Sequence, residues 1–101
     1  MNREQLTERS VAYLQRLLSQ HLPGGTRVFL FGSRARGDQR WNSDFDLWID
    51  GEVSDGLLSE TMGEIDESFV PFRVDMVTTP RLKGPFGEAV RREAKRWAGS
   101  I

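Results

Sequence analysis

A chain of 101 residues, 38% hydrophobic and 29% charged, has room for one domain around one modest core and lies well outside the disordered range. It contains no cysteine, so disulfides and thiolate metal sites are excluded and any metal must sit on oxygen or on the single histidine, His21. No apolar run approaches the roughly 20 residues of a membrane span, and the polar start does not read as a signal peptide, so a cytoplasmic location is expected. The net charge of −1 argues against a general nucleic-acid binder, but it hides an uneven distribution. Residues 44–75 carry ten acids and one base, residues 81–96 six bases and two acids, and residues 27–40 four arginines and one acid. An acidic middle suits a metal and basic flanks suit phosphate, although most such charges simply solvate helix faces.

The periodicity predicts a helix over residues 2–20, where Val11, Leu14, Leu17 and Leu18 recur at three- and four-residue steps, with Asn2 or Thr7 as its cap. His21-Leu22-Pro23-Gly24-Gly25 stops it. Residues 27–31 read as a short buried strand, broken by Gly32-Ser33. Arg34-Ala35-Arg36 forms a helical turn that Gly37 closes, and a polar loop runs to Ser43. Residues 44–50 read as a second strand with Phe45, Leu47 and Ile49 on one face. Ser54 or Asp55 caps a second long helix whose stripe is Leu58, Met62, Ile65 and Phe69. A third strand follows Pro71 over residues 72–77, with Phe72, Val74 and Met76 on one face and Arg73, Asp75 and Val77 on the other. After a loop over residues 80–85, a last helix is expected over 86–97, with Phe86, Val90, Ala94 and Trp97 facing inward. The order fits a small single-domain α/β sandwich covering residues 1–101. Strand order and direction do not follow from the pattern.

Two neighbouring features carry chemistry. Gly32-Ser33-Arg34-Ala35-Arg36-Gly37 directly follows a buried strand. Glycine lets backbone N–H groups approach a phosphate closely, Ser33 can donate a hydroxyl, and Arg34 and Arg36 can pair with phosphate. By itself such a turn is more often only a turn. Asp44-Phe45-Asp46 opens the next strand, and residues two apart on a strand share a face. Two carboxylates so placed repel each other unless a cation lies between them. Asp75 lies mid-strand in the apolar run Val74-Asp75-Met76-Val77, where a carboxylate needs a partner. Arg73 is the plain structural partner, and a metal is the functional one.

Taken together, Gly32-Ser33, Asp44-Phe45-Asp46 and Asp75 resemble the signature of the DNA polymerase β-like nucleotidyltransferase superfamily: Gly-Ser, Asp-x-Asp after about ten residues, then a separate Asp. The longer strings Phe31-Gly32-Ser33-Arg34-Ala35-Arg36-Gly37 and Ser43-Asp44-Phe45-Asp46-Leu47 are similar to its minimal nucleotidyltransferase (MNT) branch. The resemblance implies a mixed sheet of three or more strands flanked by helices. It implies that Asp44 and Asp46 bridge two Mg²⁺ ions and that Asp75 binds the catalytic one. Gly32, Ser33 and Arg34 or Arg36 would hold the phosphates of ATP or another NTP. It further implies transfer of AMP to an acceptor hydroxyl, a tyrosine of a helical HEPN-domain toxin, so that the chain acts as the antitoxin. Two other readings stand beside it: an antitoxin that blocks its partner by binding alone, and an enzyme that modifies a small-molecule alcohol. Duplex nucleic acid is not an expected partner.

Of the remaining residues, His21 suits a helix C-terminus and is not expected to be a ligand. Trp41, in the polar loop, is a candidate for stacking on a base, and Trp97 reads as packing. Arg91, Arg92, Lys95 and Arg96 read as a solvated helix face.

Overall fold

The computed structural model describes residues 1–97. Helix α1 (Arg3–His21) begins at a capping box. The Asn2 side chain accepts from the Gln5 N–H at 2.8 Å, and the Gln5 side chain accepts from the Asn2 N–H at 3.1 Å. The helix stops at Leu22, whose extended backbone leads into Pro23. There follow β1 (Arg27–Phe31), the single turn α2 (Ser33–Arg36), β2 (Phe45–Asp50), α3 (Asp55–Asp66) and β3 (Val74–Thr78). A 3₁₀ turn (Thr79–Arg81), α4 (Gly84–Glu93) and β4 (Lys95–Arg96) complete the order. Ser54 caps α3 by accepting from the Leu57 N–H at 3.1 Å.

The four strands form one mixed sheet in the order β3-β2-β1-β4. β1 runs antiparallel to β2 and β4, while β2 and β3 are parallel, with α3 as their crossover. Alternation then sorts the side chains. On one face Val28, Phe45, Leu47, Ile49 and Val74 meet α1 and α3 through Leu14, Leu17, Leu18 and Ile65. On the other face Phe31 and Trp48 meet Leu82 and Val90, with Phe29, Val77 and Ala94 at the margin. A polar row closes one end of this second face. The Trp48 Nε1–H donates to Thr79 Oγ1 at 2.9 Å, Thr79 donates to Asp50 at 2.6 Å, and Arg27 pairs with Asp50. Among the described residues no helix is long and apolar enough to cross a membrane.

Several boundaries differ from expectation. β2 starts at Phe45, so Asp44 precedes it, and β3 starts at Val74, although Phe72 is buried as expected. α3 ends at Asp66, which leaves Phe69 off the helix, 54% exposed, with its ring edge-on to Tyr13. α4 starts earlier, at Gly84 with Pro85 in its first turn, where a missing N–H costs nothing. Phe86 is half-exposed rather than inward.

The main correction lies at the end of α4. The helix stops at Glu93, Ala94 turns extended (ψ 138°), and Lys95 and Arg96 form strand β4 against Leu30 and Phe29. They are therefore not a helix face. The Trp97 N–H donates to the Val28 carbonyl at 3.0 Å, and its ring packs by Phe45 in the first core. Val90 and Trp97 thus face opposite sides of the sheet. The cause is the outer edge of β1, whose backbone groups need partners that a continued helix could not supply.

Candidate active site

Backbone register assembles the acidic cluster. Asp46, the second residue of β2, lies opposite Phe31 on one side and Asp75 of β3 on the other. The Phe45 N–H donates to the Arg73 carbonyl at 2.9 Å and pins the start of that parallel pairing. Asp44, two residues before Asp46, completes the group. One carboxylate oxygen from each of Asp44, Asp46 and Asp75 lies within 4.8 Å of the others. Burial raises the Asp46 pKa first, and the charges of Asp75, Asp44 and Glu93 raise it further, with Arg36 opposing. An all-oxygen donor set that repels itself is what a hard divalent cation such as Mg²⁺ neutralises. The expected Arg73–Asp75 pair exists at 3.3 Å, but both side chains are well exposed and the pair contributes little.

The Gly32-Ser33 turn stands beside this cluster. Gly32 has φ 77°, and a Cβ there would overlap the Asp46 carboxylate, so glycine is needed for conformation and for clearance. Its N–H donates to Glu93 Oε1 at 2.8 Å. Its carbonyl accepts from the Ala35 and Arg36 N–H groups at 3.1 and 3.0 Å, which winds α2, and Gly37 closes α2 in the left-handed conformation. Ser33 is the first residue of that turn.

The two arginines have different tasks. Arg34 donates from Nε to the Ser43 carbonyl at 3.0 Å and from Nη2 to the Trp41 carbonyl at 2.9 Å. Its guanidinium lies over the rings of Phe45 and Phe72, and burial lowers its pKa despite Asp44. It therefore staples the loop that delivers Asp44. Arg36 is exposed and pairs with Asp38 at 3.2 Å and with Glu93 at 3.1 Å. Trp41 is 41% exposed, and its ring lies edge-on to Phe72 and under the Arg3 guanidinium. The residue that sequence reasoning missed is Glu93; its one signal was an acid in an otherwise basic stretch.

Residues 11–97 match the family model described as a nucleotidyltransferase domain. The "Probable protein adenylyltransferase MntA" of Haemophilus influenzae is 34% identical over 84 residues, which span 81% of this chain and 73% of that protein. A solved structure described as a minimal nucleotidyltransferase is 32% identical with a TM-score of 0.65, covering 94% of this chain and 95% of that one. A toxin–antitoxin structure with AMP-PNP shares the fold at a TM-score of 0.69 and 21% identity, over 86% of this chain and 71% of that chain. With the acidic triad, the Gly-Ser turn and the matching fold in place, the chain belongs to the nucleotidyltransferase domain family.

Proposed function

We propose that this chain transfers AMP from ATP to a hydroxyl of a partner protein, a tyrosine of a HEPN-type toxin, and so acts as an antitoxin. The observation that carries the reading is the convergence of Asp44, Asp46 and Asp75 beside the Gly32-Ser33 turn. The names of its relatives support the acceptor: one is described as a protein adenylyltransferase, and two structures of the same fold are toxin–antitoxin assemblies. The donor set fits magnesium, since every ligand is a carboxylate oxygen and burial together with the neighbouring carboxylates raises the Asp46 pKa.

In this reading Asp44, Asp46 and Asp75 would together hold the Mg²⁺. When bound, magnesium neutralises phosphate charge and lowers the pKa of the acceptor hydroxyl. Ser33, the backbone of the Gly32-Ser33 turn and Arg36 orient the β and γ phosphates. Arg34 supports them indirectly by fixing the loop before Asp44. The acceptor oxygen bonds to the α phosphorus as the bond to the bridging oxygen breaks, and pyrophosphate leaves in line. The acceptor proton passes to the carboxylate cluster.

The test uses α-labelled ATP and Mg²⁺ with a lysate of the cells that make the protein, comparing the natural chain with Asp44→Asn. The expected result is one labelled protein band that disappears with Asp44→Asn while the variant stays folded. A folded chain that binds ATP but labels no protein shifts the acceptor to a small-molecule alcohol. A chain that binds no nucleotide sinks the enzymatic reading and leaves inhibition by binding.

A further inference from the structure

We propose that Glu93 is a positioning residue for nucleotide capture, whose carboxylate clamps the Gly32-Ser33 turn and Arg36 to the end of α4. The inference rests on the nucleotidyltransferase reading of the site. Gly32 occupies a backbone region that side chains rarely adopt, and it is flanked by two carboxylates. Asp46 fills the space where a Cβ would be, and Glu93 accepts the Gly32 N–H at 2.8 Å. Hydrogen bonds to a carboxylate acceptor are the stronger kind, so this contact ties the turn to the end of α4.

The placement of Glu93 is itself built into the backbone. β4 pairs Lys95 with Leu30, and continuing that antiparallel register by two positions places Glu93 across from Gly32. Upstream, the Ala94 N–H closes α4 on the Val90 carbonyl at 2.9 Å, and Val90 is buried in the second core. The two-residue strand and the helix end thus hold the carboxylate between them. Its side chain is 23% exposed, and both oxygens lie within 3.3 Å of Arg36 Nη1. Arg36, further anchored by Asp38, is thereby set beside the turn that would meet the phosphates.

The experiment compares Glu93→Ala and Glu93→Gln with the natural chain. Affinity for Mg²⁺–AMP-PNP is measured by calorimetry, and exchange protection of the Gly32 amide is measured by NMR without nucleotide. Glu93→Ala is expected to lose the Gly32 protection and to bind about tenfold more weakly, the order set by losing one hydrogen bond to a charged group. The KM for ATP should rise more than kcat falls. Glu93→Gln keeps an acceptor for the Gly32 N–H and should restore protection and most of the affinity, a rescue that general destabilisation would not show. A folded Glu93→Ala with unchanged affinity overturns the proposal. Tighter binding by either variant also overturns it, since Glu93 would then be occupying the place of a phosphate. If Glu93→Ala does not fold, Glu93→Gln decides: protection and near-natural affinity support the clamp, and loss of Gly32 protection overturns it. Failure of the natural chain to bind AMP-PNP would instead refute the nucleotidyltransferase reading, with Gly32 protection still reporting on Glu93.

Discussion

At Asp46 the carboxylate is partly withdrawn from water and faces Asp44 and Asp75, and both effects raise its pKa. The sign of the consequence for stability follows. Below about pH 3.9, the unfolded value of an aspartate, both native and unfolded chains carry the proton and nothing is lost. As pH rises through the higher native value, the folded chain must ionise Asp46 among its neighbours, and stability falls. Asp46→Asn should therefore melt at a higher temperature than the natural chain at neutral pH in a chelator, with the gap closing in acid. Scanning calorimetry at the two pH values checks this; a lower melting temperature at neutral pH would contradict it. The Asp-x-Asp pair was legible in sequence because a strand repeats every two residues. The task of Arg34 was not. A guanidinium next to a Gly-Ser turn offers the same donors to a phosphate as to a backbone carbonyl, and its bonds to the Ser43 and Trp41 carbonyls exist only once the loop has folded.

Elements defined by local signals were readable, and those defined by distant partners were not. α1 carries its own cap, stripe and stop, and β1 is bounded by a Pro-Gly-Gly turn on one side and Gly-Ser on the other. β4 has only Lys95 and Arg96, which show no alternation and continue a helical period equally well. It exists because β1 presents an open edge. The fit of α4 rests on a similarly non-local point. A Cβ at Gly87 would collide with the Leu82 backbone, so the helix lies directly on the 3₁₀ turn that precedes it. Gly87→Ala should wedge the two apart and cost about 1–3 kcal/mol, as overpacking in a close-fitted core does. Urea denaturation would measure it, and an unchanged or higher midpoint would show that the contact gives way freely.

Across the whole molecule, the two sheet faces are treated unequally. Helices α1 and α3 meet one face over a broad apolar cluster, while a smaller cluster with α4 occupies the other, the face that carries Asp46 and Asp75. The layer architecture was legible from the alternation of helices and strands. The order β3-β2-β1-β4 was not, because apolar strands pair by edges that leave no mark in hydrophobic pattern. That order nevertheless decides the chemistry, since only the parallel β2–β3 pairing sets Asp75 beside Asp46.

The crossover through α3 ties ligand binding to global unfolding. Asp46 and Asp75 are 29 positions apart in the chain and meet only when β3 has docked in register. An opened chain presents no such grouping, so a metal–nucleotide complex held as proposed would bind the native state alone. By mass action, ligand at a hundredfold excess over its Kd should add about 2.7 kcal/mol to the free energy of unfolding. Thermal melts across a Mg²⁺–AMP-PNP titration should climb with the logarithm of ligand concentration, and a flat series would mean that the triad does not bind it. With the proposed function, the supply of substrate would then also govern how long the scaffold persists: a chain starved of nucleotide would open more often, and the proteases of its cell would meet it first.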